Sequence, residues 1–120
     1  MRQVDLESYR ANLQSIVRTV AAMRRPRLVW IRTTPCDEVV HNTPGKTFYR
    51  FAIDSIRYNE TADSIMKAAG IPLIDLYTFT CNLGADLYCD HVHFQLPVRE
   101  KQAAFIARWL QSYQKETLTC

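Results

Sequence analysis

The sequence predicts an α/β fold built on parallel strands. Two short apolar runs, Leu28-Val29-Trp30-Ile31 and Pro72-Leu73-Ile74-Asp75-Leu76-Tyr77, alternate with three long segments of helical periodicity. Neither run shows the in–out alternation of a half-solvated strand, so each reads as a strand buried on both faces, as in a parallel sheet. Strands separated by helices imply crossover connections within one sheet.

The first helix is expected over residues 5–24. Leu6, Tyr9, Leu13, Ile16, Val17, Val20 and Met23 recur at spacings of three and four and form one apolar stripe. Asp5 suits the N-cap, Arg24 and Arg25 the negative end of the helix dipole, and Pro26 the stop. The first strand covers 28–34, and residues 36–46 read as loop by composition. A second helix spans 47–69, with Phe48, Phe51, Ile56, Ala62, Ile65, Met66 and Ala69 facing inward. Gly70 fits the left-handed position after its end, followed by apolar Ile71. The second strand is 72–77, and 78–96 form a polar loop. The third helix covers 97–114, with Pro97 in its first turn and Ala103, Ile106, Ala107, Leu110 and Tyr113 inward. Two strands are few for such a sheet, and the order reads as the last part of a larger α/β domain. The missing strands should leave apolar surface on the first helix and on both sheet faces, which favours marginal stability or self-association.

Composition narrows the function. The 120 residues carry 15 Lys and Arg against 12 Asp and Glu, a formal charge of +3, too small and too interspersed for a nucleic-acid footprint. With 48% apolar and 22% charged residues, the chain is neither disordered nor of low complexity, and its length suits a single domain. No apolar run approaches the roughly 18 residues of a membrane span. The N-terminal residues lack the apolar core of a secretion leader, so the expectation is a cytoplasmic protein with free thiols at Cys36, Cys81, Cys89 and Cys120.

Ligands of open α/β sheets gather beyond the carboxyl ends of the strands. Two segments reach that edge: Thr33-Thr34-Pro35, and the loop holding Cys89-Asp90-His91-Val92-His93-Phe94. An Asp three residues before a His can set its carboxylate against imidazole Nδ1. That fixes the tautomer and leaves Nε2 to accept a proton from a nucleophile. Asp90 and His93 have this spacing. On spacing alone, a capping or loop ion pair is the plainer reading.

In its order of blocks the sequence resembles the SGNH (GDSL-type) hydrolases. Asp90-His91-Val92-His93-Phe94 before an amphipathic helix resembles the family's last block, whose D-x-x-H completes a Ser-His-Asp triad. Trp30-Ile31-Arg32-Thr33-Thr34-Pro35 resembles its fourth strand, and Tyr58-Asn59 with Ala62 and Ile65-Met66 the helix that follows. Gly70-Ile71-Pro72-Leu73-Ile74-Asp75-Leu76-Tyr77 resembles its fifth strand, and Tyr9-Arg10-Ala11-Asn12-Leu13 the helix after its third. The resemblance implies a single partial domain over 1–120, the C-terminal part of a flavodoxin-like three-layer αβα sandwich with parallel strands. It implies hydrolysis of a small acyl or acetyl ester, with His93 as general base and acid, Asp90 orienting it, and no metal or organic cofactor.

The family's Gly-Asp-Ser nucleophile block and its oxyanion-hole blocks are absent. The serines Ser8, Ser15, Ser55, Ser64 and Ser112 all fall in expected helices, none after Gly-Asp, and Gly45, Gly70 and Gly84 stand outside those blocks too. Losing one oxyanion donor alone costs about 10²–10³ in rate, so these residues alone are expected to be inactive. The alternative is a non-catalytic interaction module that associates, for instance with its own copies, through the open edge of strand 28–34. A third option is zinc at Cys89, His91 and His93, for which no fourth ligand has standard spacing. The plain readings elsewhere are a solvated His41, packing for Trp30 and Trp109, a buried Cys81 and Cys89, and an Asn59 that bonds a neighbouring loop, its Asn59-Glu60-Thr61 glycosylation pattern being chance.

Overall fold

The computed structural model describes residues 3–42, 44, 48–90 and 92–119. The chain runs α1 (Leu6–Ala21), β1 (Trp30–Ile31), α2 (Glu38–His41), α3 (Ala52–Ala68), β2 (Leu73–Ile74), α4 (Leu76–Cys81) and α5 (Leu96–Leu118). β1 and β2 pair in parallel, Trp30 opposite Leu73 and Ile31 opposite Ile74. The Trp30 amide donates to the Pro72 carbonyl at 3.0 Å and the Arg32 amide to the Ile74 carbonyl at 3.1 Å. The α/β class and the parallel pairing therefore stand as expected.

α1 begins where its cap predicts. The Asp5 carboxylate accepts from the Ser8 amide at 2.8 Å and from the Ser8 hydroxyl at 2.9 Å. It ends at Ala21, short of Arg24 and Arg25, so Arg18 is the basic residue of its last turn. α3 ends in a Schellman motif. The Ile71 amide reaches the Met66 carbonyl at 2.9 Å and the Gly70 amide the Lys67 carbonyl at 3.1 Å, with Gly70 at φ +67°. α1 packs on α3. Between them Leu13, Ala62, Ile65 and Met66 form the core, with Tyr9, Val17, Trp30 and Ile71 against it.

Several expectations give way to local capping. Residues 36–46 are not all loop: Asp37 Oδ1 accepts from the Val39 and Val40 amides, both at 3.1 Å, and starts α2. The second strand stops at Ile74 because Asp75 caps α4, accepting from the Thr78 amide at 3.0 Å, so 76–81 are helix rather than strand or loop. The first strand is likewise two residues, not 28–34. α3 starts at Ala52 instead of 47, and α5 starts at Leu96 and runs on to Leu118. Gly45 lies outside the described residues.

Burial departs from the predicted stripes. Ile16 of α1, Met23 beyond its end, and Phe48, Phe51 and Ile56 around α3 remain exposed. Ile31 is exposed and Leu28 to Trp30 half-buried, so β1 is not buried on both faces. α5 is rotated from the expected register: Val98 and Gln102 are buried, Phe105, Ile106, Trp109 and Tyr113 half-buried, and Ala103, Ala107 and Leu110 exposed. Contacts with α4 set that rotation. Phe105 stacks on Phe79 at 4.2 Å, and Gln102 Nε2 donates to Thr80 Oγ1 at 3.0 Å. Trp30 and Trp109 pack as expected, the latter on Tyr113 at 5.1 Å.

The molecule measures 52 × 34 × 18 Å, with a radius of gyration of 16.3 Å. A compact domain of this length has a radius of about 13.6 Å. The accessible surface is 8635 Å², where a compact monomer of this size shows about 6,700 Å². Among the described residues neither strand has a second neighbour, so the outer edge of β1 lies open. No described helix is long and apolar enough to cross a membrane.

Candidate active site

Beyond α4 the chain folds into a small hairpin. Tyr88 and Phe94 form an antiparallel bridge, the Cys89 amide donates to the His93 carbonyl at 2.8 Å, and the Gln95 amide to the Leu87 carbonyl at 2.9 Å. Asp90 closes the tip. Its Oδ1 accepts from the Val92 amide at 2.8 Å and from the His93 amide at 2.7 Å, a turn that short acidic side chains form readily. Its Oδ2 lies 2.7 Å from His93 Nδ1. The expected pair is thus brought together, and one carboxylate both shapes the turn and holds the ring.

The electrostatics follow from these bonds. The two backbone amides, Val92 first and then His93, together with the His93 ring, hold the Asp90 carboxyl well below the usual carboxylate range. An ionised carboxylate only accepts, so the network assigns the proton to Nδ1 and leaves Nε2 as the acceptor. The His93 side chain is 72% exposed and that of Asp90 43%. Among the described residues no hydroxyl is hydrogen-bonded to Nε2. Ser8, Ser15, Ser55, Ser64 and Ser112 all lie in helices, as expected.

The strand end beneath the hairpin is held from α3. Asn59, 1% exposed, accepts from the Thr33 amide at 2.9 Å and donates to the Thr33 carbonyl at 2.9 Å. This is the loop bond expected of Asn59, and its burial removes it as a glycan acceptor. One turn further along α3, Asp63 Oδ2 meets Arg32 Nε at 3.2 Å, and Arg32 Nη1 meets Asp75 Oδ1 at 3.0 Å. The Arg32 guanidinium sits 5.5 Å from the centroid of the Tyr77 ring. Pro35, two residues past Thr33, accepts from the Tyr88 hydroxyl at 2.5 Å. A shallow groove of about 480 Å³, lined in part by Asp37, Val40 and Tyr88 to Asp90, opens beside the hairpin.

Other expectations resolve differently. His41 is not solvated: it is 1% exposed, and its ring lies 5.2 Å from that of Phe48. Cys36, Cys81 and Cys89 are free, but Cys81 and Cys89 are exposed rather than buried. His91 and Cys120 lie outside the described residues. Among the described residues no group of three His, Cys, Asp or Glu side chains stands together to hold a metal. The residue that sequence reasoning missed is Tyr88. Its only signal is an aromatic pair, Tyr88 and Phe94, bracketing the Asp90–His93 turn.

No protein-family model matches the chain, and no curated protein matches it. Among solved structures, the crystal structure of the lipase/acylhydrolase from Enterococcus faecalis has the same fold, with a TM-score of 0.73. The two chains are 19% identical, and the match covers 93% of this chain and 54% of that one. The chain therefore spans about half the length of that acylhydrolase. At this identity the likeness is one of fold.

Proposed function

We propose that this chain supplies the acid–base part of an SGNH-type ester hydrolase, with His93 as general base and acid and Asp90 as its orienting carboxylate. The observation that carries the reading is the 2.7 Å Asp90–His93 contact with Nε2 left open, in a fold shared with an acylhydrolase. His93 Nε2 takes the proton of a serine hydroxyl as that oxygen attacks the ester carbonyl, then returns it to the departing alcohol. Asp90 stabilises the imidazolium in between. The serine and the oxyanion donors come from a completing segment whose strands extend the sheet beyond β1 into a three-layer αβα domain. The open edge and the surface in excess of a compact monomer support that completion. The substrate is a small acyl or acetyl ester.

The test is hydrolysis of p-nitrophenyl acetate by the protein in the form its source produces, and by the 120-residue chain alone. His93→Ala lowers the rate of the active form by about 10²–10⁴, and the isolated chain stays at the buffer rate. Equal rates for wild type and His93→Ala overturn the reading. The open β1 edge with exposed Ile31 also favours a second reading, an interaction module that pairs through this edge. In that case the isolated chain forms a stable dimer by light scattering, Ile31→Lys disrupts it and His93→Ala leaves it intact.

A further inference from the structure

The Asp90–His93 turn is closed by its own carboxylate, so its internal geometry needs no other element. Local closure does not decide where the turn sits relative to the strand ends. The Tyr88 hydroxyl makes that connection, and its ring carries it into the hairpin. Its hydroxyl donates to the Pro35 carbonyl at 2.5 Å, across 53 residues of sequence. Its ring stacks on Phe94, beside His93, at 4.7 Å with an interplanar angle of 28°. Pro35 is itself tied down, because Asn59 of α3 grips both backbone groups of Thr33. The path thus runs from the α1–α3 core through the end of β1 to the phenol and on to the hairpin. Burial, with Cys36 and Asp37 nearby, pushes the Tyr88 phenol up to about 12, so it remains a donor at any working pH. The Gln95 Nε2 bonds to the Asp86 carbonyl at 2.8 Å and the Tyr88 carbonyl at 3.3 Å, and those of the Cys89 thiol to the His93 and Phe94 carbonyls, join the hairpin to itself.

We propose that Tyr88 is a positioning residue, whose phenol docks the Asp90–His93 hairpin onto the carboxyl end of β1. The role of the docked pair rests on the acid–base reading above; the docking itself does not.

The test uses the full chain and two variants. Tyr88→Phe removes the hydroxyl and keeps the stack, and Tyr88→Leu removes both. Amide hydrogen exchange reads the hairpin at Cys89 and Gln95, the donors to the His93 and Leu87 carbonyls. In Tyr88→Phe their protection falls about fivefold, the weight of one neutral hydrogen bond. Tyr88→Leu lowers it further. The His93 ring proton shifts move with it, while Leu13 and Met66 amides in the α1–α3 core hold within about twofold. A general loss of stability would lower all four amides together. Unmoved His93 ring shifts with unchanged Cys89 and Gln95 protection, or an equal fall at Leu13 and Met66, overturns the proposal. Failure of the acid–base reading registers separately, as unchanged ester hydrolysis in His93→Ala.

Discussion

Replacing Asn59 by Ala tests how the strand end is held. Asn59 is 1% exposed and makes two bonds of 2.9 Å to the backbone of Thr33. Each neutral bond contributes about 1 kcal/mol net. Thr33 itself is exposed, so water reaches part of its freed amide and carbonyl and the full penalty for a buried orphan does not apply. Removing the buried carboxamide also leaves a small void, which adds about 0.5–1 kcal/mol. The expected loss is about 2–3 kcal/mol. That is a large share of the 5–15 kcal/mol typical of whole domains, and at about 4 °C per kcal/mol for this length it lowers Tm by about 8–12 °C. Urea unfolding followed by circular dichroism measures it, with the m-value unchanged between wild type and variant. Asn59→Asp sharpens the case. It keeps the acceptor for the Thr33 amide but sets a buried carboxylate against the Thr33 carbonyl, which raises its folded pKa. A carboxyl with a raised folded value destabilises most above that folded value, and the loss is relieved as pH falls from it toward the unfolded value near 4. The variant is therefore worse than Ala at pH 7 and recovers in acid. A loss under about 1 kcal/mol for Asn59→Ala, or no recovery in acid for Asn59→Asp, refutes the latch.

Other outcomes follow from the same geometry. Gly70→Ala destabilises by about 1–2 kcal/mol in thermal unfolding through its left-handed backbone alone, since no heavy atom lies within 4 Å of the added Cβ. Thr80→Val orphans the buried Gln102 amide and costs about 1–3 kcal/mol in urea unfolding, while adding Gln102→Leu recovers much of the loss because both polar partners are then gone. The Asp90 carboxyl, followed by carbon NMR, titrates well below the ordinary carboxylate value near 3.9. A carboxyl with a depressed folded value contributes stability above its unfolded value, so the 90–93 turn stays ordered at pH 4 and loosens only as pH falls through the folded midpoint.

Features built from neighbouring residues were legible in the sequence. Asp5 before Leu6, and Gly70 before Ile71, specify their helix ends through bonds spanning three to five residues. The Asp90–His93 contact is of the same kind, since a three-residue spacing lets one carboxylate reach two amides and a ring. The parallel pairing of Trp30–Ile31 with Leu73–Ile74 was legible from two apolar runs with a helix between them. The short helices α2 and α4 were misread because their caps, Asp37 and Asp75, sit in stretches whose composition suggests loop and strand.

What only the tertiary structure decided is which face of each element turns inward, and where the hairpin stands. Apolar spacing put Ala103, Ala107 and Leu110 in the interior, yet a stack on Phe79 and a bond to Thr80 turn α5 onto Val98 and Gln102. His41 is buried, with Phe48 against its ring, although it lies in a polar stretch of sequence. Arg32 joins Asp63 and Asp75, and Tyr88 joins Pro35, across dozens of residues. Local patterns specify bonds whose partners are a few residues apart, because chain geometry alone brings those atoms within reach. Contacts between distant residues depend on how whole elements pack, and a polar contact such as Gln102 to Thr80 leaves no mark on hydrophobic periodicity.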